Sequence, residues 1–256
     1  MNISVCLPNR AYRYSLRIKL LKLACAVTSL RSIAFVAALG VIIPILVILS
    51  SFLHPEPKIW QHIVDILLVD LLKNTLRLCI GVLAGTFVLG VGAAWLTAVC
   101  DFPGRKFFNW ALMLPLAVPT YVLAFVFIGL LDFSGPVQTL LRIHVDSSLK
   151  WFPNIRSSGG VIVVMSLALY PYVYLLARNA FKTQGKRVME VSQSLGHSRT
   201  KAFFKAALPM ARPWIASGLM LVLMETLADF GAVSIFNYDT FTTGIYKAWF
   251  GFFSLS

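Results

Sequence analysis

Charge is what this sequence has least of, and negative charge is the scarcer sign. Only 13% of the 256 residues are charged, with ten Asp and Glu against 23 Lys and Arg. A soluble domain carries about a quarter charged residues. Here 58% are hydrophobic and the mean hydropathy is +0.79, so the chain falls in the membrane class. Cysteine is also sparse. Cys6, Cys25, Cys79 and Cys100 are scattered without a CxxC pair, which argues against a disulfide framework or a cysteine metal site. His54, His62 and His144 have no metal-ligand spacing and read as interfacial. Gly185-Lys186 lacks the upstream glycine and the following Ser or Thr of a phosphate-binding loop, so the chain is not expected to hydrolyse ATP itself. No paired catalytic constellation, metal site, cofactor motif or internal repeat is visible.

What is present is a series of long apolar runs. Residues 1–32 are basic and precede a run at 33–53. That run exceeds the roughly 7–15 residues of a signal-peptide core and reaches the roughly 20 needed to span a bilayer, so it reads as an uncleaved first span. His54-Pro55-Glu56-Pro57 breaks it. Residues 59–72 are amphipathic, with Ile59, Ile63, Ile66 and Leu67 on one side, and read as an interfacial helix. A second span at 75–99 contains Gly81-x-x-x-Gly85, a small-xxx-small face suited to close helix packing. Residues 101–106 form a turn. A third span at 107–131 contains Pro115 and Pro119, so a kink or interruption is expected. It reads either as a broken helix beside a substrate path or as a plain packing kink. Residues 137–143 suit a short helix, and Ser157-Ser158-Gly159-Gly160 reads as a hinge. A fourth span at 160–181 holds Pro171 and ends with Arg178 and Lys182, which can snorkel. A fifth covers 213–235. A polar segment at 237–247 follows, then a further apolar run that reaches only to Ser256.

The basic residues sit in blocks between these runs, which points to membrane orientation and away from nucleic acid. With the N-terminus inside, sixteen of the 23 Lys and Arg fall on inner segments: residues 1–32, Arg105-Lys106, and the stretch from Arg178 to Arg212. The positive-inside bias favours that orientation. Glu225 and Asp229 are spaced i,i+4 in the fifth span and would share a helix face. A carboxylate at membrane depth costs about 2.5–3.5 kcal/mol or more. The pair therefore either lines a cation path or sits wetted near the outer end, paired to a base such as Arg77. Tyr121, Tyr170, Tyr172 and Tyr174 offer oxygen ligands, but aromatics in spans more often pack or anchor.

Between the fourth and fifth spans lies a basic island, KRVMEVSQSLGHSRTKAFFKAALP at 186–209. It reads as two short helices joined by a tight turn. Gly196 suits a left-handed stop, having no Cβ to clash there. Ser198 suits an N-cap. The second helix should end near Ala207, because Leu208 precedes a proline. On shape alone, a docking element and a solvated loop both remain open.

The island resembles the EAA loop of ABC-importer permeases, whose pattern is E-A-A, three residues, G, nine residues, I-x-L-P. Glu190 holds the acidic position, followed by Val191-Ser192 in place of Ala-Ala. Gln193-Ser194-Leu195 lead to Gly196. Nine residues later Ala206 stands for the usual Ile, and Ala207, Leu208 and Pro209 follow. Three other stretches, LPLAVPTYV from Leu114, YPYVYLLAR from Tyr170 and ETLADFGA from Glu225, resemble the iron(III)-type permeases.

The resemblance runs from about Asn74 onward. It implies an all-α polytopic bundle of the MetI-like permease type, with a basic cytoplasmic segment at 1–32, a permease domain at 33–256 and an EAA-type loop at 183–212. Family chains are often two fused halves of about six spans. Five spans with a sixth missing or incomplete therefore suggest an N-terminal portion of a longer permease. The implied place is the bacterial inner membrane, N-terminus in the cytoplasm. The implied function is passage of iron(III) delivered by a periplasmic substrate-binding protein. A cytoplasmic ABC ATPase would dock on Glu190, Gly196, Leu208 and Pro209. Glu190 would meet basic groups there, or else pair locally with Arg187 or Lys186. Glu225, Asp229, Pro115 and Pro119 are the candidate path residues. Alternatives are a permease for a polyamine, thiamine or an oxyanion, and a channel or secondary transporter that needs no ATPase.

Overall fold

The computed structural model describes residues 31–50, 67–144 and 153–252. It divides into one unit of residues 1–60 with 254–256, and a second of residues 61–253. The first unit is represented by α1, Arg31–Ser50. Its side chains are exposed all round, and an apolar circumference is what a lipid-facing span requires. The basic residues 1–30, the break at His54–Pro57 and most of the expected interfacial helix lie outside the described residues.

The second unit is built on α2, Leu68–Val99, a helix of 32 residues. At 1.5 Å per residue it is about 48 Å long, more than the roughly 30 Å bilayer core. It begins earlier than expected, so residues 68–72 are its first turns and not a separate interfacial helix. Beside it runs α6, Ser158–Ala180. Gly81 of α2 faces Ile162, Gly85 faces Ser166, and Gly90 faces Val173 and the Tyr170 carbonyl. The matched positions rise together, so the two helices are parallel. A Cβ on Gly81 would stand 2.6 Å from Ile162 Cδ1, and one on Gly90 2.7 Å from Val173 Cβ. Lipid supplies no hydrophobic drive between helices, so this close van der Waals contact holds the pair. The Gly81/Gly85 face packs within the chain.

α9, Leu208–Ala228, runs antiparallel against α6 and also touches α2. A Cβ at Gly218 would meet Val173 Cα at 2.9 Å. Val164, Met165, Ala168, Val173, Tyr174 and Ala177 of α6 are buried between the two. Pro171 is accommodated without ending α6.

The third expected span is interrupted. It resolves into α3, Arg105–Ala111, a 3-10 turn at Leu114–Ala117, and α4, Thr120–Leu131. The Met113 and Leu116 amides shorten their bonds to the Trp110 and Met113 carbonyls, at 2.9 and 3.0 Å. That frees the Asn109 and Leu112 carbonyls. Tyr174 and Tyr170 of α6 donate their hydroxyls to them, at 3.2 and 2.9 Å. The break is stable because a neighbouring helix supplies the missing donors.

The expected short helix is present as α5, Pro136–His144. The expected hinge at Ser157–Gly160 is not one. Ser157 caps α6, accepting from the Gly160 amide at 3.2 Å, and residues 158–160 form its first turn. The fifth span also differs from expectation. α9 stops at Ala228, Asp229 is extended at φ −68° and ψ 122°, and a short helix, α10, spans Gly231–Ile235. A last helix, α11, covers Phe241–Phe252.

Among the described residues, five helical stretches are long and apolar enough to cross a membrane: Arg31–Ser50, Leu68–Val99, Thr120–His144, Ser158–Thr183 and Arg199–Ala228. The third joins α4 and α5 across a turn at Asp132, and so is shifted toward the C-terminus relative to the expected 107–131, which it overlaps over 120–131. α4 alone, 12 residues, is only about 18 Å long.

Candidate functional site

The loop between α6 and α9 is continuous with both. A π-helical turn, Phe181–Gly185, carries α6 into α7, Lys186–Ser194. α7 ends in a Schellman closure. Gly196 is left-handed at φ +82°. Its amide donates to the Gln193 carbonyl at 2.9 Å, and the His197 amide to the Ser192 carbonyl at 3.1 Å. These are the two bonds that satisfy a helix's last carbonyls. Ser198 then caps α8, Arg199–Ala202, accepting from the Lys201 amide. The stop at Gly196 and the cap at Ser198 are as the sequence predicts.

The end expected near Ala207 is not found. A second π turn, Phe203–Ala207, runs straight into α9, with Pro209 in its first turn. A proline is tolerated there because the first-turn amides need no helical partner.

Of the four loop candidates, Glu190 and Gly196 are exposed, whereas Leu208 and Pro209 are half-buried at the root of α9. Among the described residues Glu190 makes no ion pair with Arg187. Between α7 and the second π turn lies a groove of about 400 Å³, lined by Arg187, Val191, Leu195, His197 and Lys205. Val191 is 60% exposed and Leu195 74%. These two were not singled out from the sequence. Their i,i+4 spacing on an otherwise polar helix is the signal that finds them. Where the family pattern has two alanines, Val191 faces out while Ser192 is buried.

Both π turns rest on one side chain. Trp95 of α2 meets the ring of Phe181, the first residue of one turn, at 5.5 Å, and that of Phe203, the first of the other, at 4.3 Å. The loop is thereby clamped at both roots to the end of the longest helix.

Of the candidate path residues, only Pro119 and Asp229 come together, at a second place. Asp229 and Glu225 do not share a helix face, because Asp229 lies beyond the end of α9 and its side chain is engaged elsewhere. Asp229 Oδ2 accepts from the Thr120 hydroxyl at 2.6 Å and Oδ1 from the Ala232 amide at 2.8 Å. Its carbonyl accepts from the Thr242 hydroxyl at 3.1 Å. The break after Pro119 and the break after Ala228 therefore meet, with the Pro119 carbonyl accepting from the Val122 amide in the first turn of α4. Pro115 sits in the 3-10 turn further along. Glu225 is exposed on α9. Among the described residues neither acid pairs with Arg77. Tyr170 and Tyr174 are committed to α3, and Tyr121 packs under Gly231. Among the described residues no three His, Cys, Asp or Glu side chains are arranged to hold a metal ion.

Comparison with known proteins adds the following. Residues 86–251 match the family described as binding-protein-dependent transport system inner membrane component. An Fe(3+)-transport system permease protein of Haemophilus influenzae is 35% identical over 180 residues, 70% of this chain and 31% of that protein. A sulfate transport system permease protein of Salmonella typhimurium is 29% identical over 147 residues, 57% of this chain and 50% of that one. A molybdate/tungstate transport system permease protein of Thermococcus kodakarensis is 24% identical over 208 residues, 79% of this chain and 76% of its own. The chain thus spans about a third of the iron permease and half of the sulfate permease.

Proposed function

The chain belongs to the family of binding-protein-dependent transport system inner membrane components, and on that premise we propose that it forms part of the path of an ATP-driven importer for iron(III). It lies in a bacterial inner membrane with its N-terminus in the cytoplasm. A periplasmic binding protein delivers the solute to its outer face. A cytoplasmic ATPase docks on the loop at 186–209, and ATP-driven movement of that loop rocks the spans.

The observation that carries this reading is the loop itself. Its polar helix α7 presents Glu190, Val191 and Leu195 to solvent. Its Schellman turn places Gly196 at the tip. Its roots are clamped to α2 through Trp95. The arrangement suits a lever: an exposed contact surface, a rigid turn, and firm attachment to the central helix pair. The basic segment at Arg105 and Lys106 lies at the same end as this loop, which agrees with a cytoplasmic face under the positive-inside bias. Iron(III) as cargo is supported by the Haemophilus relative and by the exposed carboxylate of Glu225.

An oxyanion is the second reading. The sulfate and molybdate/tungstate relatives favour it.

The test is uptake by cells that express the full gene with its neighbours, using labelled iron, sulfate and molybdate in parallel. Iron uptake that depends on this gene is expected. Dependence of sulfate or molybdate uptake alone overturns the iron assignment. The ATPase should co-purify with the chain and be lost when 186–209 is replaced by a Gly/Ser linker. An ATPase-independent channel would take up solute without it.

A further inference from the structure

α3 begins where α2 ends, and a groove of about 550 Å³ lies at that corner. Its lining holds three cations, Arg105, Lys106 and Lys182, against one carboxylate, Asp101. Arg105 is already committed. Its Nε and one Nη donate to the Thr97 and Ala98 carbonyls, both at 2.8 Å, and its other Nη pairs with Asp101. It thus caps the end of α2 and cancels the groove's only acid. Lys106 and Lys182 are left exposed, and among the described residues neither has an acidic or hydrogen-bonding partner. Lys182 also feels the positive charges of Arg178 and Arg105. Like charges held this close repel unless an anion lies between them.

Two further observations point to what the anion is. Asn109 lines the groove with a buried amide oxygen that has no hydrogen-bond partner among the described residues. A buried polar atom left so calls for a partner, a water among them. On α3, Phe107 and Trp110 are 58% and 53% exposed, with ring centroids 5.7 Å apart. Exposed Trp rings are enriched at the headgroup level of a bilayer, and the apolar Phe107 ring lies beside this one. A groove beside such rings, at the end of α2, suits a membrane surface.

We propose that this groove binds the phosphate of an anionic lipid headgroup. Lys106 and Lys182 hold the charge, and Asn109 lines the groove beside them. Basic pockets between spans at the cytoplasmic surface are suited to such headgroups. A free phosphate ion has the same charge chemistry but makes no use of the aromatic rings. The proposal requires that the chain spans a membrane, and not that it carries iron.

The test is native mass spectrometry of the full chain, with any partners that co-purify, from mixed micelles of phosphatidylglycerol and phosphatidylcholine. The wild type should retain phosphatidylglycerol in preference. Lys106→Gln with Lys182→Gln should weaken retention about five-fold for each lysine removed. Lys73→Gln with Arg77→Gln, an equal charge change on α2 away from the groove, should leave retention unchanged. Thermal unfolding in phosphatidylcholine micelles should be the same for all three, which separates a lost ligand from a damaged fold. Equal retention of the two lipids by the wild type, or unchanged retention by the double lysine variant, overturns the proposal. Displacement of the lipid by excess inorganic phosphate identifies a soluble phosphate as the ligand instead.

Discussion

The Thr120 hydroxyl donates to the Asp229 carboxylate at 2.6 Å, joining residues 109 apart in sequence. Each lies where a helix breaks, Thr120 at the start of α4 and Asp229 at the end of α9. The same carboxylate accepts from the Ala232 amide, at the start of α10. One acid thus satisfies two donors that the breaks expose. These bonds offset the cost of withdrawing the carboxylate from water, and among the described residues it has no counter-ion.

This bond can be measured by a double-mutant cycle. Thr120→Val and Asp229→Asn should each lower thermal stability by about 1 kcal/mol, and the pair should cost less than the sum. Asp229→Ala should cost more, about 1–3 kcal/mol, because the Ala232 amide also loses its partner. Additive losses for Thr120 and Asp229 would show that the two side chains act independently.

Glu225 stands apart from that network. It has an exposed carboxylate and no ion-pair partner among the described residues. Glu225→Gln should leave expression and thermal unfolding unchanged and reduce iron uptake about ten-fold or more, the loss of one charged contact of about 1.5–3 kcal/mol. Unchanged uptake at normal expression removes Glu225 from the path.

The α2–α6 contact predicts an asymmetric rescue. A Cβ at Gly85 would run into Ser166 Oγ. Gly85→Ala should destabilise the bundle by about 1–3 kcal/mol through overpacking. Adding Ser166→Gly should recover most of that, read as detergent-solubilised unfolding temperature. At Gly92, where a Cβ would meet nothing within 4 Å, the same Gly→Ala change should be silent.

Gly196 gives a test of the loop without touching the spans. At φ +82° a branched side chain costs about 1–2 kcal/mol. Gly196→Val should reduce ATPase co-purification while the unfolding temperature of the spans holds. Gly196→Asn should be milder, since Asn tolerates the left-handed region. Equal ATPase binding by both variants would mean that the turn is not part of the docking surface.

Local chemistry made several features legible from residues alone. Gly196 and Ser198 mark a turn and a cap because the backbone there needs a missing Cβ and a short hydroxyl. Pro115 and Pro119 mark a broken helix because two donors are absent. The expected end near Ala207 failed because the local preference of Leu208, before a proline, was overridden. A π turn carries the chain into α9 with Pro209 where no donor is needed. The expected Glu225/Asp229 pair failed for a related reason. An i,i+4 spacing implies a shared face only while the helix continues, and it ends at Ala228.

Composition, periodicity and loop charge by themselves determined a polytopic helical membrane chain with a basic helix-turn-helix between two of its spans. These depend on transfer from water to lipid and on neighbouring residues, both of which are read along the chain. Only the tertiary structure decided that α2 and α6 run parallel on a glycine face, that Trp95 clamps both roots of the loop, and that Asp229 closes onto Thr120. Each of these joins residues far apart in sequence. Their energy lies in close contact and in donors shared between helices, which no single stretch of the chain contains.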